Sequence, residues 1–166
     1  MFKLKISKID FIILIVMSVI GLISSLTVIY ELYAVHYLPP FCQLPGSVGG
    51  VVFNCAKVLL SNYANFGPVS LDFLAAVWFI VNIALVTIMS FSGGRTARNI
   101  LRFLFGWRFF GIVVVAYLLY LEFFVVRAIC LYCTVMHIAI IIDFAIISYL
   151  LFSKSSKTRQ ALLSES

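Results

Sequence analysis

Two long stretches of this chain carry no charged residue. They run from Phe11 to Tyr30, twenty residues, and from Phe73 to Gly94, twenty-two residues. A helix needs about 20 apolar residues to cross the hydrocarbon of a bilayer, so each stretch is long enough to span a membrane. With 64% hydrophobic and 11% charged residues, the chain lacks the polar surface that would cover a soluble core of this size. The sequence therefore predicts an integral membrane protein.

Two more stretches are almost as apolar. The stretch from Phe109 to Val126 is interrupted only by Glu122, and the stretch from Ala128 to Ser153 only by Asp143. Arg127 marks the turn between them. We therefore predict an all-α membrane protein with one domain over residues 1–166. It is a four-transmembrane-helix bundle, with helices over about 10–35, 70–93, 104–127 and 129–153.

The basic residues predict how this bundle is oriented. Most of the twelve lysine and arginine residues precede the first helix, lie between the second and third, or follow the fourth. Because such residues accumulate on the cytoplasmic side, we expect both termini in the cytoplasm and the loop over 36–69 at the extracytoplasmic face. This bias accounts for the net charge of +6, so the charge does not point to a nucleic-acid partner.

The extracytoplasmic loop contains the chain's helix breakers. All four prolines lie in it, accompanied by four glycines, so its backbone is expected to be turned and irregular. One part of the loop, from Val51 to Tyr63, has no breaker and mixes apolar clusters with polar residues. This pattern predicts a short interfacial helix that lies over the bundle and carries Cys55.

The four cysteines form two pairs, and all four are expected at the extracytoplasmic face. Cys42 and Cys55 lie in the loop, whereas Cys130 and Cys133 form a C-x-x-C motif at the start of the fourth helix. Residues three apart share a helix face, so the motif can close a disulfide. The positive end of a helix favours thiolates, which makes these cysteines good nucleophiles. Two neighbouring pairs can pass electrons by thiol–disulfide exchange.

Other roles for the cysteines stay open at this point. A zinc site would use four convergent ligands, and two C-x-x-C pairs are its usual pattern, whereas Cys42 and Cys55 are separated by twelve residues. Buried cysteines can also pack without reacting. The loop pair alone is equally compatible with a static disulfide, which an oxidising exterior favours. The C-x-x-C motif favours redox chemistry over these alternatives.

The order of these features resembles the vitamin K epoxide reductase family. The resemblance covers essentially the whole chain and rests on the two loop cysteines, a serine after them, a Gly-Pro entry to the second helix, a third helix rich in Tyr and Leu, and the C-x-x-C: Cys42, Cys55, Ser61, Gly67, Pro68, Tyr117, Leu118, Leu119, Tyr120, Leu121, Cys130 and Cys133. The spacing of the loop cysteines is longer than the family pattern. The chain resembles the short prokaryotic form without a fused thioredoxin-like domain.

The resemblance implies a quinone-dependent thiol–disulfide oxidoreductase. Cys42 and Cys55 would be the shuttle pair, oxidising a separate thioredoxin-like (DsbA-like) protein, and Cys130 with Cys133 the pair that passes electrons to ubiquinone, menaquinone or a related quinone. The reaction would support disulfide bond formation. Alternatives are a reductase of vitamin K epoxide or quinone, a DsbB-like oxidase, which carries its C-x-x-C in the first extracytoplasmic loop, and a non-enzymatic membrane scaffold with structural disulfides.

The resemblance also implies a quinone site beneath the C-x-x-C motif. Cys133 lies about 4.5 Å deeper than Cys130 along an ideal helix, so we expect it to meet the quinone. His137 lies one turn further on the same face, where animal members of the family carry a tyrosine that is thought to bind the quinone carbonyl. Glu122, an ionisable residue inside the membrane, is a candidate proton donor. Asp72, at the mouth of the second helix, and Ser61 complete the predicted set, whereas Asp143 is expected to make a helix contact.

Overall fold

The computed structural model describes residues 8–36, 39, 42, 47–48, 50–92 and 94–164. Its helices are α1 (Lys8–Tyr30), continued by a π-helical turn (Glu31–Val35), α2 (Cys55–Leu59), α3 (Leu71–Phe91), α4 (Gly94–Tyr120), continued by a second π-helical turn (Leu121–Val126), and α5 (Leu131–Ser164). Its strands are β1 (Ser47–Val48), β2 (Val51–Phe53), β3 (Asn65–Phe66), β4 (Val69–Ser70) and β5 (Ala128–Ile129).

Four of these helices are long and apolar enough to cross a membrane within the described part of the chain. The candidate spans are Lys8–Val35, Leu71–Phe91, Thr96–Val126 and Leu131–Phe152. Helices suit a lipid environment because every backbone N–H and C=O group finds its partner inside the same segment. The prediction of an all-α, four-helix membrane bundle is therefore confirmed.

An apolar core holds the bundle together at the end away from the cysteines. α1 packs against α3 and α5, and α4 packs against α5. Each of the four long helices contributes buried aliphatic side chains to this core, namely Leu14, Val86, Met89, Ala97, Leu101, Leu104, Ile147 and Leu150. In lipid, close packing of this kind replaces the hydrophobic effect as the force that associates helices.

The start of α4 corrects one prediction. The third long helix begins at Gly94 instead of near residue 104, so the segment predicted as a connecting loop is helical. The physical reason is an amphipathic pattern: Ala97, Leu101 and Leu104 recur at helical spacing and are buried in the apolar core. Arg98 and Arg102 lie on the exposed side of the same turns. Similarly, α5 continues beyond residue 153 to Ser164.

Arg108 lies inside the bundle, not in a loop. Its guanidinium forms an ion pair with Asp143 of α5, with 3.4 Å between Nη2 and Oδ2, and the two side chains are only 1% and 2% exposed. Nη1 also donates to the Asp143 backbone carbonyl at 2.9 Å. Ser18 of α1 donates to Asp143 Oδ2 at 3.0 Å, and Asn82 of α3 accepts from Arg108 Nε at 3.4 Å. The helix contact expected of Asp143 is therefore present and joins all four long helices.

The predicted interfacial helix from Val51 to Tyr63 is shorter than expected. Its first residues form strand β2, and only Cys55–Leu59 is helical. The reason is that β2 has partners: it pairs with β1 in an antiparallel manner and with β5 in a parallel manner, which makes a three-stranded sheet in the order β1-β2-β5. β-branched and aromatic residues such as those in β2 suit a paired strand. Gly50, with a φ of 81°, allows the turn before β2.

Candidate active site

A parallel β-ladder brings the two cysteine-bearing segments together. Val52 pairs with Ala128, and Phe53 pairs with Ile129. The backbone N–H of Val52 donates to the Arg127 carbonyl at 3.3 Å. The N–H of Asn54, the residue directly after β2, donates to the Ile129 carbonyl at 3.1 Å. Because the two strands run side by side in the same direction, the residues that follow them leave the ladder at the same end and lie close together. Those residues include Cys55 and Cys130.

The loop cysteines are disulfide-bonded, and the C-x-x-C cysteines are free thiols. Cys42 and Cys55 form the disulfide, with their Cα atoms 5.4 Å apart. Cys130 is a buried free thiol, and Cys133 is a half-buried one. Cys42, Cys55 and Cys130 pack in a single buried cluster with Val28 of α1 and Leu59 of α2. The structure therefore places an oxidised pair directly against a reduced pair.

Local helix geometry fixes the position of Cys55. Asn54, immediately before it, is the N-cap of α2, since its Oδ1 accepts the N–H of Lys57 at 2.9 Å. A side-chain oxygen at this position satisfies one of the otherwise unpaired N–H groups of the first turn. The strand before Asn54 and the cap at Asn54 together hold Cys55 in the first turn of α2 against the bundle.

Cys130 stands at the beginning of α5 and acts as its N-cap. Its Sγ accepts the N–H of Cys133 at 3.4 Å. Its backbone carbonyl accepts from both the N–H and the hydroxyl of Thr134, each at 2.9 Å. The first N–H groups of a helix have no partner within the helix, so a capping atom is needed. The C-x-x-C motif therefore opens the helix, as its sequence position predicts.

Cys133 connects the cysteine cluster to a second apolar cluster. It packs against the buried group around Cys130 and also against a deeper group made of Phe79, Met136 and Ala139. Cys133 is thus the thiol of the motif that faces the interior of the bundle.

Two ionisable side chains near Cys133 are buried, and each has a side-chain polar atom that makes no hydrogen bond to a described residue. His137 is one turn further along α5 and is 5% exposed, and Glu122 lies second in the π-helical turn that continues α4 and is 4% exposed. His137 Nδ1 and Glu122 Oε2 have no hydrogen-bond partner among the described residues. Buried polar atoms are usually satisfied, so each such exception is a candidate ligand contact.

Asp72 lines a cleft beside the cysteine cluster. It lies in the first turn of α3, where Ser70 caps the helix by accepting the N–H of Phe73 at 3.3 Å. Its backbone carbonyl accepts a hydrogen bond from Ser25 of α1. The cleft has a volume of about 200 Å³, and its walls are Leu32, Tyr33, Leu59, Leu60, Asn65, Ser70 and Asp72.

The predicted set of quinone-binding residues is therefore divided between two places. Asp72 is a wall of the cleft, whereas His137 and Glu122, which are also buried, are not among its walls. Ser61 is not a wall of the cleft: its hydroxyl donates to the Val58 carbonyl at 2.7 Å, at the end of α2.

The sequence interpretation missed Glu31. This residue begins the π-helical turn that ends α1, and its Oε1 accepts a hydrogen bond from the hydroxyl of Tyr132 at 2.9 Å. Tyr132 lies between the two cysteines of the C-x-x-C motif. The available signal was the position of Glu31, an ionisable residue directly after the uncharged run of the first helix.

Comparison with known proteins agrees with this arrangement. The model of the vitamin K epoxide reductase family matches residues 12–148, which is most of the chain. A sequence comparison with curated proteins finds no match. The matched region includes all four cysteines, two of the four membrane-spanning helices in full and most of the other two. The resemblance inferred from the cysteine pattern is thereby confirmed. The chain belongs to the vitamin K epoxide reductase family and is a membrane oxidoreductase.

Proposed function

We propose that this protein is a thiol oxidase that transfers electrons from a thioredoxin-like protein to a membrane quinone. The single observation that carries the proposal is the contact between the Cys42–Cys55 disulfide and the Cys130 thiol in one buried cluster. A structural disulfide alone would not need a second, reduced pair beside it. Thiol–disulfide exchange does need one, because a thiolate must reach the disulfide sulfur that it attacks.

The first transfer takes two electrons from the partner. A thiolate of the partner attacks the Cys42–Cys55 disulfide, and a second partner thiol resolves the mixed disulfide. The partner gains a disulfide, and Cys42 and Cys55 become thiols. We assign the first attack to Cys42. Both loop cysteines are buried, but Cys55 is held in α2 against the bundle, whereas Cys42 lies outside that helix and the ladder, so a local movement can uncover Cys42 for the partner.

The second transfer is internal. The Cys55 thiolate attacks the sulfur of Cys130 in an oxidised Cys130–Cys133 pair, and Cys133 leaves as a thiolate. Cys42 then attacks Cys55, which reforms the loop disulfide and releases Cys130. Two electrons and two protons pass to the C-x-x-C pair. The state with Cys42–Cys55 oxidised and Cys130 and Cys133 reduced is the product of this step.

A quinone is the electron acceptor that the interior of the bundle fits. When bound, a quinone accepts two electrons and two protons. Cys133 would be the residue that reduces it, since Cys133 packs on the apolar group of Phe79 and Met136, which suits a flat ring. The free polar atoms of His137 and Glu122 fit its polar oxygens. Asp72 and the cleft would form the route by which the ring approaches.

We further propose that the cysteine end of the bundle faces away from the cytoplasm. The grouping of basic residues at the two termini and near the start of α4 supports this orientation. A reporter enzyme that is active only outside the cytoplasm, fused after Ser166, should stay inactive. The same reporter inserted next to Gly50, in the turn between β1 and β2, should be active. The reverse pattern would reject the orientation and, with it, an extracytoplasmic partner.

The proposed reaction is tested with the protein in lipid nanodiscs that contain ubiquinone or menaquinone. A reduced thioredoxin-like protein is added, and quinone absorbance and partner thiols are followed together. One quinone should be reduced for each partner disulfide formed. Replacing either Cys42 or Cys133 by Ser should abolish quinone reduction. Partner oxidation that continues in these variants, or that proceeds without quinone reduction, would contradict the proposal.

A further inference from the structure

Glu31 is attached to the C-x-x-C motif through a tyrosine. The hydroxyl of Tyr132 donates to Glu31 Oε1 at 2.9 Å. The ring of Tyr132 packs against the same buried cluster that contains Cys55 and Cys130. A hydrogen bond to a carboxylate is stronger and more directional than one between neutral groups. It therefore restrains the first turn of α5, which carries both thiols.

One face of α1 supports the cysteine cluster. Val28 is a fully buried member of the cluster, and Leu32 packs on its edge. Glu31 stands between them at helical spacing, three residues after Val28, so the three side chains lie on one face. This face consists of two apolar supports and a single carboxylate, and the carboxylate contacts the C-x-x-C turn.

The backbone of Glu31 is itself unusual. Glu31 is the first residue of a π-helical turn, and its carbonyl accepts the N–H of His36, which has a left-handed conformation with a φ of 55°. Short π-helical segments are uncommon and occur often at functional sites. α4 ends in a similar way: the left-handed Arg127 donates its N–H to the carbonyl of Glu122, the second residue of that π-helical turn.

We propose that Glu31 is a positioning residue for the C-x-x-C pair: through Tyr132 it holds Cys130 against Cys55 so that the two sulfurs can exchange. The role in electron transfer rests on the function proposed above, but the geometry does not. Cys130 is the N-cap of α5 and its sulfur accepts the N–H of Cys133. The position of the Cys130 sulfur therefore depends on how the first turn of α5 packs against the end of α1.

The test measures this positioning directly and needs neither quinone nor partner. In a Cys133→Ala protein, the Cys42–Cys55 disulfide plus the Cys130 thiol can convert to a Cys55–Cys130 disulfide plus the Cys42 thiol. No electrons enter or leave. The ratio of the two disulfides, read by mass spectrometry after an acid quench and alkylation, reports how well Cys130 is held against Cys55.

Glu31→Leu in this background should lower the proportion of the Cys55–Cys130 form about tenfold, equivalent to about 1.4 kcal/mol. Tyr132→Phe, which removes one oxygen atom, should lower it similarly. Glu31→Gln keeps an acceptor but loses the charge, so its proportion should fall between those of the parent and Glu31→Leu, about threefold below the parent. The double variant Glu31→Leu/Tyr132→Phe should be no worse than either single variant, because both remove the same contact. Tyr30→Phe, on an exposed neighbouring tyrosine, is the matched control.

An unchanged ratio in both Glu31→Leu and Tyr132→Phe would overturn the proposal. A loss in Glu31→Gln as large as that in Glu31→Leu would also overturn it, because the charge and not the hydrogen bond would then matter. If Glu31→Leu does not accumulate in membranes, Tyr132→Phe decides. Suppose that Glu31→Leu and Tyr132→Phe lower the proportion of the Cys55–Cys130 form as expected, but the wild-type protein reduces no quinone. The proposed function would then be rejected, whereas the positioning role of Glu31 would be supported.

Discussion

Phe53 of β2 and Ile129 of β5 are paired neighbours in a parallel β-ladder. Cys55 follows Phe53 by two residues, and Cys130 follows Ile129 by one. Backbone hydrogen bonds, not side-chain contacts alone, therefore set the distance between the two cysteine pairs. Holding two reacting groups in place makes their reaction effectively unimolecular, which accounts for much of the rate of such exchanges.

Removing one thiol of the C-x-x-C motif should trap the exchange. In a Cys133→Ala protein, Cys130 can still bond to Cys55, but Cys133 is no longer present to displace Cys55 from Cys130, and only the attack of the Cys42 thiol on Cys55 can undo the bond. A Cys55–Cys130 disulfide should therefore accumulate in membranes and be visible by mass mapping. Cys130→Ala is the control, since Cys133 lies a turn deeper and should form little disulfide with Cys55. If the trapped bond joins Cys42 to Cys130 instead, the proposed order of transfer is reversed.

The ladder itself can be weakened at one hydrogen bond. Val52→Pro removes the N–H that donates to the Arg127 carbonyl. We expect it to slow exchange between the two cysteine pairs about tenfold, because the net loss of a hydrogen bond and the strain of Pro together exceed about 1 kcal/mol. The rate is followed by rapid alkylation after reduction of the loop pair. Val52→Ala keeps the N–H and should behave as the parent. Equal rates in the two variants would show that the ladder does not control the exchange.

Some features of this fold could be predicted from sequence, and the ladder could not. The four membrane spans depend on local composition, and the C-x-x-C at the start of α5 depends on local spacing, so both are readable along the chain. β2 and β5 have only three and two residues. Each is stabilised by the other, from a distant part of the chain. The local pattern of Val51 to Tyr63 favoured a helix because it contains no information about that partner.

The arginines of α4 illustrate the same limit. A count of basic residues treats all four alike, yet Arg98 and Arg102 are exposed whereas Arg108 is buried between helices. Nothing in the sequence near Arg108 identifies its partner, because Asp143 lies on the next helix of the chain and Ser18 on the first. Buried charges need such partners, since an unpaired charge in this environment is costly.

Breaking the Arg108–Asp143 pair should destabilise the bundle. Arg108→Leu leaves the Asp143 carboxylate without its cation and should lower the free energy of unfolding by about 3–5 kcal/mol. The measurement is unfolding of the purified protein in mixed micelles, followed by circular dichroism. Arg102→Leu, at an exposed position on the same helix, should have little effect.

The double variant Arg108→Leu/Asp143→Leu should recover much of the loss, because it leaves no unpaired charge. If the double variant is as unstable as the sum of the two single variants, the ion pair is not what couples these sites.

The close packing of α1 against α3 should be sensitive to substitution of Gly21. A Cβ atom added there would overlap the ring of Phe79. Gly21→Ala should therefore push Phe79 out of its place beneath Cys133 and cost about 1–3 kcal/mol of stability. The same unfolding measurement detects it. Gly106→Ala, where an added Cβ meets no atom within 4 Å, is the matched control and should be neutral or stabilising. Equal effects at the two glycines would contradict the packing argument.

The proposed contact between His137 and bound quinone can be tested by substitution. If the histidine makes a hydrogen bond to bound quinone, His137→Ala should leave a buried polar group unpaired and cost about 1–3 kcal/mol of binding energy. This corresponds to roughly a tenfold to hundredfold rise in the apparent KM for quinone. His137→Phe keeps the volume but not the bond and should behave similarly. Quinone reduction is measured at several quinone concentrations for each variant.

Exchange between the cysteine pairs should stay intact in both His137 variants, because His137 lies one turn beyond Cys133, on the side away from the loop disulfide. Asp72→Asn is the companion variant, since Asp72 lines the cleft instead of the deeper site. A changed quinone dependence in Asp72→Asn alone would place the ring in the cleft. An unchanged dependence in both His137 variants would return His137 to a packing role and leave Glu122 as the better candidate.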